Sequence, residues 1–244
     1  MEDIIEVNNI SKRFILTAEP QTFFKIFKRF ATARCSNYRE IWPLKDLNFT
    51  VKKSEKIGLI GDNGSGKTTL ARIILGIYRQ TSGSLRVNGR VTGFLNLGIG
   101  MQRDLSVLEN IYIFGAIMGL DRTEIKKKLN SIIDFSELRD FIYSPLRDLS
   151  TGMYGRLAFS IAKEVDSEIL ILDEVLGAGD TCFMEKCLGA FEGYKNSDKT
   201  IVVASHNIDL VERFCDKVLL LNKGKQIVFG PAKEVIDIYK RHEF

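Results

Sequence analysis

Eight consecutive residues, Gly61-Asp62-Asn63-Gly64-Ser65-Gly66-Lys67-Thr68, have the types and spacing to hold the phosphates of a nucleoside triphosphate. Glycines at that spacing let backbone N–H groups turn inward around an anion, at the N-terminus of a helix. Lys67 brings a full positive charge to the β- and γ-phosphates, and the Thr68 hydroxyl is placed to ligate Mg²⁺. Thr69, next along, belongs to the same cofactor-binding set. A glycine-rich turn that binds nothing is the alternative. The setting argues against it, because the apolar run Lys56–Gly61 precedes the loop and a helical pattern over Lys67–Leu75 follows.

A second candidate cluster is Ile169-Leu170-Ile171-Leu172-Asp173-Glu174. Four apolar residues predict a buried strand with two carboxylates at its C-terminal end, where open α/β sheets place ligands. Asp173 suits the Mg²⁺ shell, directly or through water, and Glu174 suits polarisation of the water that attacks the γ-phosphate. An acidic pair capping a strand is common without function; the phosphate loop is what gives this one meaning. Ser205-His206 follows the apolar run Thr200–Ala204. Taken alone, His206 reads best as a satisfied histidine at a strand end; the family resemblance described below is what makes it a γ-phosphate sensor.

These groups need a scaffold. Strand signals fall at Ile4–Val7, Leu44–Val51, Lys56–Gly61, Ser84–Val87, Arg90–Leu95, Glu168–Leu172, Thr200–Ala204 and Lys217–Leu221. Apolar strands alternating with helices predict an α/β fold, a parallel sheet covered on both faces. Between Val107 and about Val165 the apolar spacing turns helical, which predicts a subdomain at approximately 100–165 inserted into one domain spanning 1–244.

Bulk properties narrow the class. The 244 residues are 45% hydrophobic and 27% charged with a net charge of +4, ordinary for a globular protein and too mild to imply nucleic acid. No stretch approaches the roughly 20 apolar residues of a membrane helix, and the N-terminus lacks a signal peptide's regions. A cytosolic chain is expected, with any membrane role exerted through a partner. Cys35, Cys182, Cys187 and Cys215 form no CxxC pair and are read as reduced packing residues.

Leu149-Ser150-Thr151-Gly152-Met153 opens a helix read as Tyr154–Lys163 and resembles the LSGGQ signature of ABC ATPases, with Thr151 and Met153 replacing Gly and Gln. Phosphate loop, signature, acidic pair and switch histidine occur in that family's order, and the resemblance covers essentially the whole chain. It implies a P-loop NTPase (RecA-like) core with a mostly parallel sheet, an N-terminal antiparallel β portion and an inserted helical subdomain. It implies ATP and Mg²⁺ as cofactors and a homodimer in which Ser150 and Gly152 of one subunit cap the nucleotide on the other's phosphate loop. Phe14 matches the aromatic that stacks on adenine, unless it is a core residue at a strand end. Asp180 matches the D-loop aspartate. Asn96 is the stand-in for the family's usual glutamine, a Mg²⁺ ligand; Gln102 lies too far along.

The lettering from Asn96 to Gly100, Glu109-Asn110-Ile111, Arg156-Leu157-Ala158-Phe159 and Asp173-Glu174-Val175-Leu176 looks like that of polysaccharide exporters. The expected partners are a membrane-embedded permease dimer and a lipid-linked polysaccharide (O-antigen, capsule or teichoic acid), at the cytoplasmic face of the bacterial inner membrane. With Phe244 as the last residue given, the chain resembles the short members, and the C-terminal glycan-binding sandwich of some others is not expected. Another cargo is the nearer alternative, and a soluble ABC ATPase acting on ribosomes or DNA a more distant one.

An aromatic and basic stretch, approximately 17–42, stands outside the core pattern. Phe23, Phe27 and Phe30 share one helical face, while Lys25, Lys28 and Arg29 lie mainly elsewhere. It is either a surface helix or a helix meeting permease, anionic lipid or the cargo's diphosphate.

Overall fold

A computed structural model describes residues 2–17, 38–94, 98–173 and 181–243. Strand β1 (Asp3–Thr17) pairs antiparallel with β2 (Tyr38–Lys52), from Asp3↔Lys52 to Thr17↔Tyr38, and its register shifts near Val7, Ile10 and Lys12. Both strands run well beyond the apolar windows Ile4–Val7 and Leu44–Val51. The shifts explain why: each extra residue breaks the period-2 alternation by which a strand shows itself in sequence. Residues 38–42 are therefore strand, and the helix expected within 17–42 concerns residues 18–37, which lie outside the described residues.

Strand β3 (Lys56–Ile60) is buried at every position and leads into helix α1 (Lys67–Ile74). Strand β4 (Ser82–Val87) pairs antiparallel with β1, and β5 (Val91–Phe94) begins the far edge of the sheet. Three helices follow: α2 (Val107–Ile117), α3 (Arg122–Ser136) and α4 (Thr151–Lys163). Reciprocal caps fix the first two, Ser106 with Glu109 and Asp121 with Glu124, each pair satisfying backbone N–H groups that a helix start leaves open. Helix α4 starts three residues before the expected Tyr154, because the Ser150 side chain caps it.

The chain then builds β6 (Ile169–Asp173), α5 (Thr181–Lys195), β7 (Thr200–Ala204), α6 (Ile208–Phe214), β8 (Lys217–Asn222), β9 (Lys225–Pro231) and α7 (Ala232–Lys240). Among the described residues the sheet has nine strands in the order β4-β1-β2-β9-β8-β3-β7-β6-β5. From β8 to β5 all neighbours are parallel, whereas β1 with β2, β1 with β4 and β8 with β9 are antiparallel. The expected α/β core with an antiparallel N-terminal portion is what forms. Strand β9 gave no sequence signal, being half-exposed and mixed in polarity.

Three apolar clusters hold this together. Ile5, Leu44, Leu59, Leu70 and Leu219 join the antiparallel portion and α1 to one face of the sheet. Ile60, Phe94, Phe159, Phe191 and Leu220 fill the other face. Ile111, Phe114, Ile125, Ile132, Leu157 and Ile161 make a separate core among α2, α3 and α4. Helix α4 belongs to both of the last two, since its Phe159 ring meets Phe94 at 5.4 Å. Among the described residues no helix is long and apolar enough to cross a membrane.

Candidate nucleotide site

Register brings the candidate residues to one edge. Leu59 of β3 and Asp173 of β6 both pair with Ala204 of β7, so Gly61, Asp173 and Ser205 leave the sheet side by side. This is the carboxyl edge of the parallel strands, where the sheet leaves an open crevice for ligands. The Ser205 N–H donates to the Leu59 carbonyl at 3.3 Å, and His206 stands exposed just beyond it.

Within the loop, Gly61, Gly64 and Gly66 have φ of 140°, 81° and 112°, conformations that L side chains rarely adopt. At Gly66 a side chain is also excluded by crowding, since a Cβ would fall 2.5 Å from the Pro43 carbonyl oxygen. Gly224 presses on the same oxygen, at 2.7 Å from its own would-be Cβ, and its N–H donates to the Ser65 carbonyl at 3.1 Å. The loop is thus clasped between β2 and the β8–β9 turn. Gly64 faces open space.

The buried Lys67 ammonium donates to the carbonyls of Gly61 at 2.7 Å and Asp62 at 3.1 Å, which curls the loop around it. The Ser65 hydroxyl is buried and has no hydrogen-bond partner among the described residues, an orphaned polar atom inside an anion-shaped loop. Thr68 Oγ1 donates to Asp173 Oδ1 at 3.3 Å, so a hydroxyl and a carboxylate from separate elements meet at the mouth of the loop. Among the described residues no cluster of three or more His, Cys, Asp or Glu could cage a metal. A cation here would complete its shell with phosphate oxygens and waters. That suits Mg²⁺, which keeps waters and takes few protein ligands.

Phe14 is half-buried near the end of β1, and the Tyr78 ring meets it edge-on at 5.4 Å. Lys12 Nζ sits 4.9 Å above Phe14 and donates to the Arg79 carbonyl at 2.7 Å. An aromatic face with a cation beside it fits a nucleobase. Tyr78 gave no sequence signal, because only the turn after α1 brings it to β1. Tyr239 is a similar case: its hydroxyl donates to Asp62 Oδ1 at 3.3 Å from the last described helix. Burial, with the Asp62 carboxylate beside it, raises the Tyr239 phenol above its ordinary pKa, so it remains a donor.

Ser150 and Gly152 are built into the helical portion, at the start of α4. Ser150 Oγ accepts from the Met153 N–H at 3.2 Å. Among the described residues a Cβ on Gly152 would meet only Ser150 Oγ, at 3.9 Å, so that side of the helix is open to them. Asn63 and Thr69 fall within the loop and the first turn of α1 respectively. Asn96, Glu174 and Asp180 lie outside the described residues. Cys187 and Cys215 are buried free thiols, and burial pushes the Cys187 thiol up to about 12, in keeping with packing roles.

The sequence profile described as "ABC transporter" matches residues 44–177, more than half of the chain. The O-antigen export system ATP-binding protein RfbB of Klebsiella pneumoniae is 37% identical over 99% of both chains. The protein of the same name from Myxococcus xanthus is 44% identical, and the match covers 82% of this chain but 46% of that one. The teichoic acids export ATP-binding protein TagH of Lactiplantibacillus plantarum is 37% identical over 97% of this chain and 64% of its own length. Two solved structures share the fold. One is an ATP binding subunit of an ABC transporter, with a TM-score of 0.75 at 20% identity over 97% of this chain and 93% of that one. The other is a dimeric ATP-binding cassette bound to ADP and Pi, with a TM-score of 0.72 at 19% identity over 93% of this chain and 98% of that one. A profile match over more than half of the chain and a relative 37% identical from end to end carry the conclusion: the chain belongs to the family of ABC transporter ATP-binding proteins.

Proposed function

We propose that this chain is the ATP-hydrolysing subunit that powers export of a lipid-linked polysaccharide, working as a homodimer on a separate membrane-embedded permease. The observation that carries the cargo assignment is the end-to-end similarity to the Klebsiella O-antigen export protein. The site supports the chemistry. Gly61 to Thr68 wrap the phosphates, the buried Ser65 hydroxyl finds an acceptor there, and Lys67 turns its ammonium from loop carbonyls to phosphate oxygens. Phe14 takes the adenine. Thr68 and Asp173 would hold Mg²⁺, with Asn96, two residues past the end of β5 in sequence, contributing; bound there, the ion would neutralise charge on the transferring phosphoryl group. Glu174 polarises the attacking water and His206 senses the γ-phosphate. Ser150 and Gly152 reach the nucleotide on the partner subunit, since their side of α4 is open, and Asp180 couples the two sites.

Membrane attachment at the cytoplasmic face of the inner membrane comes through the permease. Ile99 is 68% exposed and Ile117 56% exposed, and both lie beside Gly100, an apolar spot that, with the neighbouring stretch around Asn96, is assigned here to permease contact. The test is made in cells lacking this chain. They should lose polymer from their surface and accumulate the lipid-linked glycan inside, and only a hydrolysis-competent copy should restore export. Unchanged surface polymer would overturn the cargo assignment.

A further inference from the structure

The first turn of α4 projects Ser150 and Thr151 into solvent, and helix ends without support fray. Four residues after Ser150, Tyr154 supplies such support. Its hydroxyl donates to the Gly98 carbonyl at 2.6 Å, and that carbonyl also accepts from the Met101 N–H at 3.0 Å, closing a tight turn. Its ring lies flush on the turn: a Cβ at Gly98 would sit 2.4 Å from Tyr154 Cε1, and Gly98 has φ of 91°. On the helix side, the Tyr154 N–H donates to the Ser150 carbonyl at 3.0 Å, so ring, helix start and Ser150 move together. Burial raises the phenol's pKa, which keeps it protonated and donating.

We propose that Tyr154 is a positioning residue, tying the turn from Gly98 to Met101 to the start of α4 and so fixing the direction in which Ser150 and Gly152 face the partner's nucleotide. The proposal rests on the reading that those two residues act across the dimer. Nothing in the signature lettering marks Tyr154, because its partner lies 56 residues away in sequence. The link also means that displacement of the turn is passed directly to the signature end of the helix.

The experiment uses the full chain with ATP and Mg²⁺ and compares Tyr154→Phe, Ser150→Ala, the double variant and Gly98→Ala. Tyr154→Phe keeps the ring and removes one hydrogen bond. It should lower kcat about three- to tenfold, leave KM for ATP within about twofold, and barely move the melting temperature. Ser150→Ala should lower kcat further, and the double variant should be no worse than Ser150→Ala, because the tyrosine acts through the serine. Gly98→Ala should reproduce the kcat loss with the hydroxyl present, by displacing the ring. Wild-type kcat in Tyr154→Phe beside an impaired Ser150→Ala would overturn the proposal and leave the reading of the signature standing. So would full additivity in the double variant. Wild-type kcat in Ser150→Ala would overturn that reading and the proposal with it.

Discussion

Lys67 is buried and its ammonium is already engaged by two loop carbonyls, so the loop is curled before any phosphate arrives. Binding exchanges partners around a fixed charge and does not have to order a free one, which is the economy of a preorganised site. Hydrolysis is a separate matter and falls to Glu174. Glu174→Gln should retain ATP binding while slowing turnover by roughly 10²–10⁴-fold, the usual effect of losing a general base, and should accumulate a closed dimer. Steady-state ATPase rates beside gel filtration with ATP would check this; near-wild-type turnover would remove Glu174 from the role. At this scale sequence legibility followed contiguity. Gly61 to Thr68 could be read because eight neighbours carry the whole pattern. Tyr78 against Phe14 and Tyr239 against Asp62 could not, because tertiary folding brings each pair together and neither has a spacing of its own.

Among the elements, buried strands were the most legible. All five residues of β3 and of β7 are buried, apolar but for Lys56 and Thr200 at the strand starts and the glycine Gly58, and their ends fell within a residue or so of where composition placed them. Strands β1 and β2 were read short because bulges interrupt their alternation, and β9 was missed because it is half-exposed. Helix α4 shows a conflict of duties. Ser150 caps the helix with the same oxygen proposed to face the partner's phosphate. Replacing a capping serine by alanine costs about 1 kcal/mol, whereas glycine costs only a few tenths. Ser150→Gly should therefore melt close to wild type and still lose most ATPase activity. Thermal melts beside turnover numbers would separate the two duties. A large drop in melting temperature with normal turnover per folded molecule would assign Ser150 to capping alone.

Over the whole molecule, the phosphate loop and the start of α4 belong to different cores, which is the arrangement expected if each serves a different nucleotide. Lys67→Ala should then weaken ATP binding to the isolated subunit. Gly152→Asp should spare that binding and impair hydrolysis by the dimer, because among the described residues only Ser150 Oγ, at 3.9 Å, comes near a Cβ on that face. Equal loss of subunit binding in both, measured with a fluorescent ATP analogue, would contradict action across the dimer. Farther out, replacing Lys25, Lys28 and Arg29 with glutamine should reduce polymer at the cell surface while leaving basal ATPase nearly unchanged. Each cation near an anionic membrane contributes about 1 kcal/mol, so three shift surface affinity by about two orders of magnitude. Normal export would leave that stretch as a surface helix. The contact of Gly66 and Gly224 with one Pro43 carbonyl has a consequence for protein engineering. Residues 61–68 look like a self-contained cassette, yet they are braced by a strand before them and a turn far after them. Grafted alone onto another scaffold, the eight residues would keep their lettering and lose their mould. A transplant that works must carry Pro43 and Gly224 along with the loop.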